Sequence, residues 1–407
     1  MPKVKVLYVE HATTVGGGER SLLELTAGLD PRRYARVFAL AGDGPLAAAL
    51  RRRGERVVFY HASARLLRFR RADVSPFNAG FWRLARDVVR SARSLARLLR
   101  EEDPDIVHTN SQKAHWLTAA ATLFSRRPVV WHMRDILRGF FLRSAADALA
   151  ALAATRVLAI SAAVAAPFRL ARAKTAVTYN AVAAPYATGR VARARLRAAW
   201  RIPPAAVVIG CVGQLAPWKG QHVFVEMAAW LALALPQAHF VIVGGPLYGA
   251  MAYEARVRRA AARGPAAGRF YFLGQVPDAA GLISAFDVLV HTPVEDEPFG
   301  RVVVEAMARG VPVVAVGRGG VPELVTDGRE GLLVASADAH ALAAAVARVV
   351  TRPSLAAALG AAGRATYERR FRLERLTAEV DAVYRAVVAK KDKGLAWGLD
   401  WAGAGSG

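Results

Sequence analysis

A single cysteine, Cys211, is present in the whole sequence, within the apolar run VVIGCVG. One thiol excludes both an internal disulfide and a zinc site built on several thiolates. Because the run has the composition of a strand, we expect Cys211 to be a buried, unreactive thiol. Asp103 and Asp105 match an Asp-x-Asp metal pattern, but they precede a predicted strand, and we interpret them as a helix-to-strand turn. Other histidines and carboxylates at metal-binding spacing are lacking, and we expect no bound metal.

A long apolar run is lacking as well. Hydrophobic residues make up 54% of the chain, but no uninterrupted stretch reaches the roughly 18 residues that a membrane-spanning helix needs. The first residues, MPKVKVLYV, predict a β-strand, since the stretch is too short and too interrupted by lysine for a signal peptide. We therefore expect a cytoplasmic protein, peripheral at most on the inner face of the cell membrane.

Acidic residues are few: 32 of them face 56 lysines and arginines, for a formal net charge of +24. This excess predicts attraction to anionic partners such as nucleotides, acidic lipids or nucleic acid. Part of it lies in the predicted helix Trp82–Arg100, where arginines at spacings of three and four would form one stripe opposite an apolar one. The stripe consists of Arg83, Arg86, Arg90, Arg93, Arg97 and Arg100, and the apolar side of Leu84, Val88, Val89, Leu95, Leu98 and Leu99.

A basic amphipathic helix of this kind favours an anionic membrane surface as partner. The alternative is an ordinary surface helix that packs its apolar side on a sheet and leaves its arginines in water. No helix-turn-helix, zinc or aromatic RNA-binding signature accompanies the charge, so we expect no specific nucleic-acid partner.

Short β-branched runs alternate with helical patterns through the chain, which predicts an α/β fold with two doubly wound parallel sheets. The strands predicted for the first sheet are Val4–Val9, Ala35–Leu40, Val57–Tyr60, Ile106–Thr109, Val129–His132, Arg156–Ile160 and Ala176–Tyr179. Those predicted for the second are Val207–Val212, His239–Val243, Arg269–Leu273, Val288–Thr292, Val311–Val316 and Gly331–Val334. The helices predicted between the strands of the second sheet include Gln221–Leu235 and Leu282–Asp287.

The domain boundaries follow from breaks in this alternation. We expect a first Rossmann-like domain over residues 1–185, a linker over 186–204 and a second Rossmann-like domain over 205–372. A closing helix over 373–390 can belong to either domain, and the glycine-rich tail 391–407 is predicted to be disordered. Two tandem domains of this type leave a cleft between them, where strand ends and helix N-termini converge on a ligand.

The segment EPFGRVVVE, which begins at Glu297 and ends at Glu305, carries the most chemical information. A loop is predicted to lead into an apolar helix, Arg301–Arg309, so the backbone N–H groups of Phe299, Gly300 and Arg301 can face an anion. Carboxylates beside them can accept hydrogen bonds from ribose or sugar hydroxyls. The segment therefore suits a nucleotide-activated sugar; the alternative is an acidic loop before a helix with Glu305 in water.

In each domain, the first predicted strand is followed by a loop with candidate ligand-binding residues. In GQLAPWKG, Lys219 supplies a point charge for a diphosphate, with a solvated lysine on a surface turn as the alternative. Gly16, Gly17 and Gly18 let the backbone approach a ligand closely. Their pattern is neither the dinucleotide-binding G-x-G-x-x-G nor a phosphate-binding P-loop.

Polar residues end two further predicted strands of the first domain. His108 and Asn110 lie at the end of one of them, and His132 and Arg134 lie at the end of the other. Strand ends face the ligand side of such a sheet, so these residues are candidates for contacts with a substrate. A hydrogen-bonded structural imidazole is the alternative for each histidine.

Taken in order, these elements resemble the retaining, GT-B-fold nucleotide-sugar glycosyltransferases of glycosyltransferase family 4. The matching positions run from Gly16 to about Gly331, which is most of the chain. They are Gly16–Gly18 with Glu19, the strand end at His132, the loop of Gln214, Lys219 and Gly220, the pair Glu297 and Glu305, and Gly319–Glu323 followed by Asp327–Gly331.

The resemblance implies roles for the residues of the second domain. Lys219 would bind the donor diphosphate, and Glu305 the ribose of the nucleotide. Glu297, with the amides near Phe299 and Gly300, would hold the donor sugar. In the first domain, His132 would contact the transferring sugar, so that His132, Lys219 and Glu297 are the predicted catalytic residues.

Further contacts are implied on both sides of the donor. The Gly16, Gly17 and Gly18 loop would line the diphosphate and the acceptor region. His108, Asn110 and Arg134 are candidates for contacts with the acceptor or the sugar. The family usually has arginine at the position of Gln214. Neutralisation of the diphosphate would then depend on Lys219 and Arg301.

The activity implied is transfer of a sugar from a UDP- or GDP-sugar to an acceptor hydroxyl with retention of the anomeric configuration, without a cofactor. The acceptor would be a glycan, a glycolipid or a small molecule in polysaccharide, glycolipid or glycoside biosynthesis. A sugar-nucleotide epimerase or a phosphorylase on the same fold is the first alternative. A basic nucleic-acid-binding protein is the second.

Overall fold

Two parallel β-sheets, one of seven strands and one of six, organise the residues that the structure describes. The structure is a computed structural model, and it describes residues 2–68, 79–122, 127–183, 190–246 and 251–392. The chain divides into two units. The first unit holds Met1–Tyr179 together with Leu373–Gly407, and the second unit holds Asn180–Arg372.

The sheet of the first unit has the strand order β3-β2-β1-β4-β5-β6-β7, with all neighbours parallel. Its strands are β1 Val4–Glu10, β2 Tyr34–Leu40, β3 Arg56–Phe59, β4 Ile106–Thr109, β5 Val129–Met133, β6 Arg156–Ala159 and β7 Thr175–Val177. The order reverses between β1 and β4, where Val6 pairs with Arg36 on one side and with Ile106 on the other. Ligands of doubly wound sheets bind at the carboxyl ends of strands beside such a reversal.

Helices cover both faces of this sheet, as parallel strands require. They are α1 Gly17–Gly28, α2 Pro45–Arg52, α3 Ala64–Arg68, α4 Ala79–Glu102, α5 Gln112–Thr122, α6 Phe140–Ala153 and α7 Ala162–Ala165. The strands are buried β-branched and aromatic runs, and Tyr8, Phe38 and Trp131 are among the largest side chains that have no exposed surface.

The sheet of the second unit has the order β10-β9-β8-β11-β12-β13, again all parallel. Its strands are β8 Val207–Val212, β9 Ala238–Val243, β10 Phe270–Gly274, β11 Val288–His291, β12 Val313–Val316 and β13 Leu332–Val334. Its helices are α8 Arg190–Ala199, α9 Gln221–Ala234, α10 Met251–Arg263, α11 Ala279–Leu282, α12 Arg301–Met307, α13 Ala339–Val350 and α14 Pro353–Arg370. Here the order reverses between β8 and β11.

The last described helix, α15 (Leu373–Asp392), belongs to the first unit and packs against α1. The two helices approach so closely that a β-carbon at Gly28 would lie 2.5 Å from Cγ2 of Thr377. Tyr384 of α15 is fully buried, and its hydroxyl lies 2.7 Å from Nδ1 of His108 and 3.3 Å from the hydroxyl of Tyr8. α15 therefore completes the core of the first unit.

All thirteen predicted strands are present, with ends within two residues of those predicted. Cys211 is buried in β8 as expected, and burial raises the pKa of its thiol to about 12. The predicted helix Leu282–Asp287 is wrong. α11 ends at Leu282 and a short 3₁₀ turn follows, so that Asp287 can accept hydrogen bonds from Arg193 and Arg197 of α8.

Two predicted segments fall partly outside the described residues. Of the predicted linker, residues 186–189 lie outside them, while the following residues form α8 of the second unit. Of the predicted disordered tail, residues 393–407 lie outside them, whereas Lys391 and Asp392 end α15. Nζ of Lys391 lies 2.8 Å from Oδ1 of Asp105, which anchors this end of the helix.

Within the described ranges, no single helix is both long and apolar enough to cross a membrane. The bent pair α13 and α14 would reach that length and composition only when taken together, and the two helices meet at 98°.

Candidate functional site

The loop that leaves β8 places Lys219 at the end of a 3₁₀ turn, Pro217–Lys219. Gly220 follows with a φ of +71°, and a β-carbon there would lie 1.8 Å from the carbonyl oxygen of Thr292. Only glycine fits a positive φ with such a close neighbour. Oγ1 of Thr292 in turn donates to the carbonyl of Gly220 at 3.0 Å. The loops after β8 and β11, on either side of the strand-order reversal, are therefore fastened together.

Lys219 and Glu297 form an ion pair at this edge of the second sheet. Nζ of Lys219 lies 2.6 Å from Oε2 of Glu297 and 4.0 Å from the ring centre of Trp218. The same carboxylate oxygen lies 3.2 Å from Nε2 of His291, the last residue of β11. Burial alone would raise the pKa of Glu297, but the charge of Lys219 and the contact with His291 outweigh it and hold that pKa below its ordinary value. Glu297 is thus a buried, ionised carboxylate.

The glycines after β12 fix the backbone of Glu297. Gly319 has a φ of +61°, and a β-carbon there would lie 2.2 Å from the carbonyl oxygen of Glu297. The N–H of Gly320 donates to that same carbonyl at 2.8 Å. Glu323 ends the 3₁₀ turn that comes next, Val321–Glu323. The motif Gly319–Glu323 therefore shapes the loop that carries Glu297.

Phe299, Gly300 and Glu305 of the same segment are buried, and Arg301 is half-buried. Glu305 lies on α12, only 4% exposed, and its Oε1 accepts a hydrogen bond of 2.8 Å from Nε of Arg301. The alternative of a solvated Glu305 is therefore wrong. Phe299 packs edge-on to Phe371 with ring centres 6.1 Å apart, and Gly300 has a φ of +92°. α12 ends at Met307 rather than at the predicted Arg309 because Gly310, with a φ of +66°, closes it.

Gln214, where an arginine was expected from the resemblance, stands half-buried in the loop after β8. Its backbone carbonyl accepts a hydrogen bond of 2.9 Å from Nε2 of Gln221. Lys219, in the same loop, and Arg301, at the start of α12, are each paired with a carboxylate.

A second polar cluster lies in the first unit, where β1, β4 and β5 end. Nδ2 of Asn110 donates to Oε2 of Glu10 at 2.9 Å, and Nε of Arg134 donates to Oδ1 of Asn110 at 2.6 Å. Burial alone would raise the pKa of Glu10, but the hydrogen bond and charge of His11, with the bond from Asn110, lower it to about 2. Asn110 thus links a buried carboxylate to a buried guanidinium.

His108 and His132 lie against this cluster with their ring centres 5.3 Å apart, and both are fully buried. Nη2 of Arg134 is 3.4 Å from Nδ1 of His132. Among the described residues, neither Nε2 atom has a hydrogen-bond partner. Burial and the charge of Arg134 lower the pKa of His108 to about 3, and that of His132 well below its ordinary value. Both imidazoles are therefore neutral at physiological pH.

The glycine loop before α1 lies beside the same cluster. The N–H of Gly16 donates to Oε2 of Glu19 at 2.8 Å, which holds the loop at the start of the helix. A β-carbon at Gly18 would lie 3.3 Å from Cδ of Arg134, whereas one at Gly17 would meet nothing within 4 Å. Burial and the charge of Glu10 raise the pKa of Glu19. The loop therefore exposes backbone at Gly17 and rests on Arg134 at Gly18.

The structure thus brings the predicted residues together in two sets, one in each unit. Glu297 meets Lys219 in the second unit, and Asn110, Arg134 and His132 meet in the first. Within the described residues, no group of three or more His, Cys, Asp or Glu side chains is placed to hold a metal ion.

Sequence reasoning missed Glu10, His291 and Tyr384. A signal was available for Glu10, because it directly follows an apolar strand in the way that the predicted strand-end residues do. His291 is the penultimate residue of the predicted strand Val288–Thr292, so its place near a strand end was a similar signal. Tyr384 carried no such signal, since it sits in an amphipathic helix 276 residues from His108 in the sequence.

Two protein-family models match the chain. The model described as Glycosyltransferase Family 4 matches residues 15–185. The model described as Glycosyl transferases group 1 matches residues 192–366. Together they cover the greater part of both units.

Relatives and solved structures agree with these matches. The lipopolysaccharide core biosynthesis mannosyltransferase LpsB of Rhizobium meliloti is 34% identical over 190 residues, 46% of this chain and 54% of that protein. The GDP-mannose-dependent alpha-(1-6)-phosphatidylinositol monomannoside mannosyltransferase of Mycolicibacterium smegmatis is 34% identical over 180 residues, 42% of this chain and 46% of that protein. The chain spans about half the length of the curated relatives it matches.

The structure of Anabaena Alr3699/HepE in complex with UDP-glucose is similar over nearly the whole chain. It has a TM-score of 0.81 and 27% sequence identity, and the match covers 94% of this chain and 100% of that one.

Proposed function

We propose, since the chain belongs to glycosyltransferase family 4, that it transfers a sugar from a nucleoside-diphosphate sugar to an acceptor hydroxyl with retention of configuration. UDP- and GDP-sugars are both candidate donors. A structural relative was solved with UDP-glucose, and a curated relative is named as GDP-mannose-dependent.

The observation that carries this proposal is the Lys219–Glu297 pair at the carboxyl ends of β8 and β11. In the reaction, the bond between the anomeric carbon and the diphosphate oxygen breaks, and the acceptor oxygen forms its bond on the same face. A donor phosphate oxygen takes the acceptor proton, so that atoms and charge balance. Negative charge grows on the leaving diphosphate, and a fixed cation such as Lys219 stabilises it.

The remaining residues of the second unit would hold the donor. Glu297, kept ionised and oriented by Lys219 and His291, accepts hydrogen bonds from the sugar hydroxyls. Glu305 binds the ribose. The amides of Phe299 and Gly300 and the side chain of Arg301 complete the donor contacts, while Gln214 offers a neutral hydrogen-bonding group where a cation is usual in the family.

In the first unit, the loop of Gly16, Gly17 and Gly18 would line the diphosphate and the acceptor. His132 contacts the transferring sugar as a neutral imidazole through Nε2. Asn110 and Arg134 position it and its surroundings. His108, whose Nδ1 is occupied by Tyr384, supports His132 from behind.

The acceptor in this proposal is a glycan or a glycolipid, as the names of the curated relatives suggest by analogy. The reaction then takes place in the cytoplasm, at the inner face of the membrane when the acceptor is a lipid. No cofactor is required.

Thermal-shift measurements with UDP-, GDP- and dTDP-sugars test the donor first. One class should raise the melting temperature of the wild type and leave Lys219→Ala unshifted. Incubation with that donor and no acceptor then separates transfer from epimerisation, which would yield a new sugar nucleotide. If none of the donors binds, or if a new sugar nucleotide accumulates, the proposed reaction is wrong.

A further inference from the structure

The exposed side of α4 carries an unusual concentration of charge. All six arginines of the predicted stripe are exposed. They are Arg83, Arg86, Arg90, Arg93, Arg97 and Arg100. Asp87, which lies among them in the sequence, instead pairs with Arg65 at 3.8 Å and accepts from Ser63 at 2.9 Å. Across the described ranges, none of the six has an ion pair with an acidic side chain. Like charges one turn apart repel each other, so an anionic partner would relieve this face.

The opposite side of α4 is already occupied. Ala92, Leu95, Leu98 and Leu99 are buried, and α4 packs against α5. The leucines are therefore unable to enter a lipid layer, and any contact that α4 makes with lipid is through its arginines. Val89 was predicted on the apolar side, and that prediction is wrong, because it is 46% exposed beside the arginines.

Two aromatic side chains at the start of α6 are exposed to solvent. Phe140 is 78% exposed and Phe141 is 87% exposed, with their ring centres 5.9 Å apart. Gly139, with a φ of +81°, turns the chain before them. Neighbouring exposed phenyl rings that contribute nothing to a core mark a surface that binds something apolar.

These two features lie on one face of the first unit. α4 packs against α5, and α5 packs against α6, so the three helices are neighbours on the same side of the sheet. α6 begins just after β5, at the carboxyl edge where Arg134 and His132 lie. The aromatic pair is therefore at the same edge as the polar cluster of the first unit.

We propose that α4 and the start of α6 form a membrane-docking surface for an anionic bilayer. The arginines bind lipid phosphates and carboxylates, and Phe140 and Phe141 insert between the acyl chains. Nucleic acid matches the arginines equally well by charge, but two adjacent exposed phenyl rings at the edge of the stripe favour a partner with an apolar interior. Resting on the proposed function, this surface assigns the acceptor to the lipid-linked class, presented at the membrane to the edge that carries His132.

Vesicle binding by the full chain tests the surface without any enzyme assay. The probes are vesicles of phosphatidylcholine with about a third phosphatidylglycerol, and vesicles of phosphatidylcholine alone. Replacing Arg86, Arg90 and Arg93 with glutamine should weaken binding to the anionic vesicles about a hundredfold. The matched control replaces three exposed arginines of the second unit, Arg259, Arg263 and Arg348, and should bind as the wild type does.

The aromatic contribution is separated by salt. Phe140→Ala with Phe141→Ala should weaken binding about tenfold or more, and this loss should persist at high salt, where charge contributes little. Trp230→Ala with Leu233→Ala, a pair of exposed apolar residues on α9, is the control and should have no effect.

Three results would overturn the docking surface. The first is a wild-type protein that does not bind anionic vesicles. The second is a loss of duplex RNA binding in the arginine variant that matches its loss of vesicle binding, together with normal vesicle binding by the phenylalanine variant. The third is a wild-type dimer that the phenylalanine variant loses, because the rings would then be a subunit contact. Donor-induced thermal shifts of the same variants test the proposed function separately. These shifts should match that of the wild type, and they would be absent only if the transferase assignment is wrong.

Discussion

Lys219 and Glu297 meet through a contact of 2.6 Å between Nζ and Oε2, although 78 residues separate them in the sequence. The carboxylate is buried, so its partner cation is held in place before any donor arrives. A preformed cation costs little reorganisation when charge develops on a leaving diphosphate.

Removal of this cation should have separate effects on catalysis and on stability. Lys219→Ala should lower turnover on the order of a hundredfold, because one charge-stabilising contact is lost. It should also destabilise the protein by about 1–3 kcal/mol, since Glu297 keeps its buried charge with less compensation. Steady-state kinetics and urea unfolding measure the two. Addition of Glu297→Gln should recover part of the stability and none of the activity.

The control for that experiment is Arg348→Ala, which removes an exposed cation from α13. Turnover by Lys219→Ala at the wild-type rate would contradict the assignment of the site.

Gly319 should tolerate a methyl group far less well than Gly328. Both have positive φ, of +61° and +76°, so alanine strains the backbone at each. A β-carbon at Gly319 would also lie 2.2 Å from the carbonyl oxygen of Glu297, while one at Gly328 would meet nothing within 4 Å. Gly328→Ala should cost about 1 kcal/mol, and Gly319→Ala about 2 kcal/mol more, through the clash.

Donor affinity distinguishes the two variants further. Gly319→Ala should weaken donor binding because it displaces the loop of Glu297, and Gly328→Ala should leave affinity unchanged. Equal free energies of unfolding for the two variants would contradict the prediction, because the loop of Glu297 would then accommodate the methyl group at position 319 without loss of stability.

Gln214→Arg tests whether the second unit lacks a cation for the diphosphate. The new charge should tighten donor binding about tenfold, the scale of one charge-assisted hydrogen bond. Gln237→Arg adds the same charge on an exposed turn and is the control. Titration calorimetry with the donor measures both. An unchanged affinity for Gln214→Arg would mean that Lys219 and Arg301 already suffice.

Acid should weaken the first unit through its buried histidines. The pKa values of His108 and His115 are lowered to about 3 and that of His132 is well below its ordinary value, because each is buried. Histidines of the unfolded chain have an ordinary pKa of about 6.5, so they take up protons before the buried histidines of the folded protein as the pH falls. Stability should be unaffected above that value and fall below it, by about 1.4 kcal/mol per pH unit for each histidine.

Urea unfolding at pH values from about 7 to about 5 measures this slope. His115→Gln should reduce it, while His61→Gln, which alters an exposed histidine, should leave it as in the wild type. Glu10, whose pKa is lowered to about 2, adds a further loss only below the ordinary glutamate range. A slope that is the same for wild type and His115→Gln would mean that this imidazole takes up a proton as readily in the folded protein as in the unfolded chain.

The two parallel sheets could be predicted because parallel strands buried on both faces are continuous apolar runs that stand out from helical periodicity. β4 and β8 were predicted to the residue for this reason. Short elements next to turns were less predictable. The segment Leu282–Asp287 has helical composition, but the helix ends earlier. Its last residue, Asp287, instead accepts hydrogen bonds from Arg193 and Arg197.

Site residues within one motif were predictable, whereas their partners were not. Glu297, Phe299 and Glu305 share a segment whose chemistry can be recognised locally. The contacts that shape this segment come from other parts of the chain. Lys219 pairs with the carboxylate of Glu297, and the backbone of Gly319 lies close to the carbonyl of Glu297. Such pairs depend on which strands become neighbours, and a single sequence does not contain that information.

The first unit is assembled from two stretches of chain, with the whole second unit made in between. A ribosome therefore synthesises β8 to α14 before it synthesises Tyr384. Until then, Tyr8 and His108 have no cover, while the second unit already possesses all of its own residues. A nascent chain halted before Leu373 would carry a finished second unit and an incomplete first one. The unit that begins first along the chain is therefore the last to be complete.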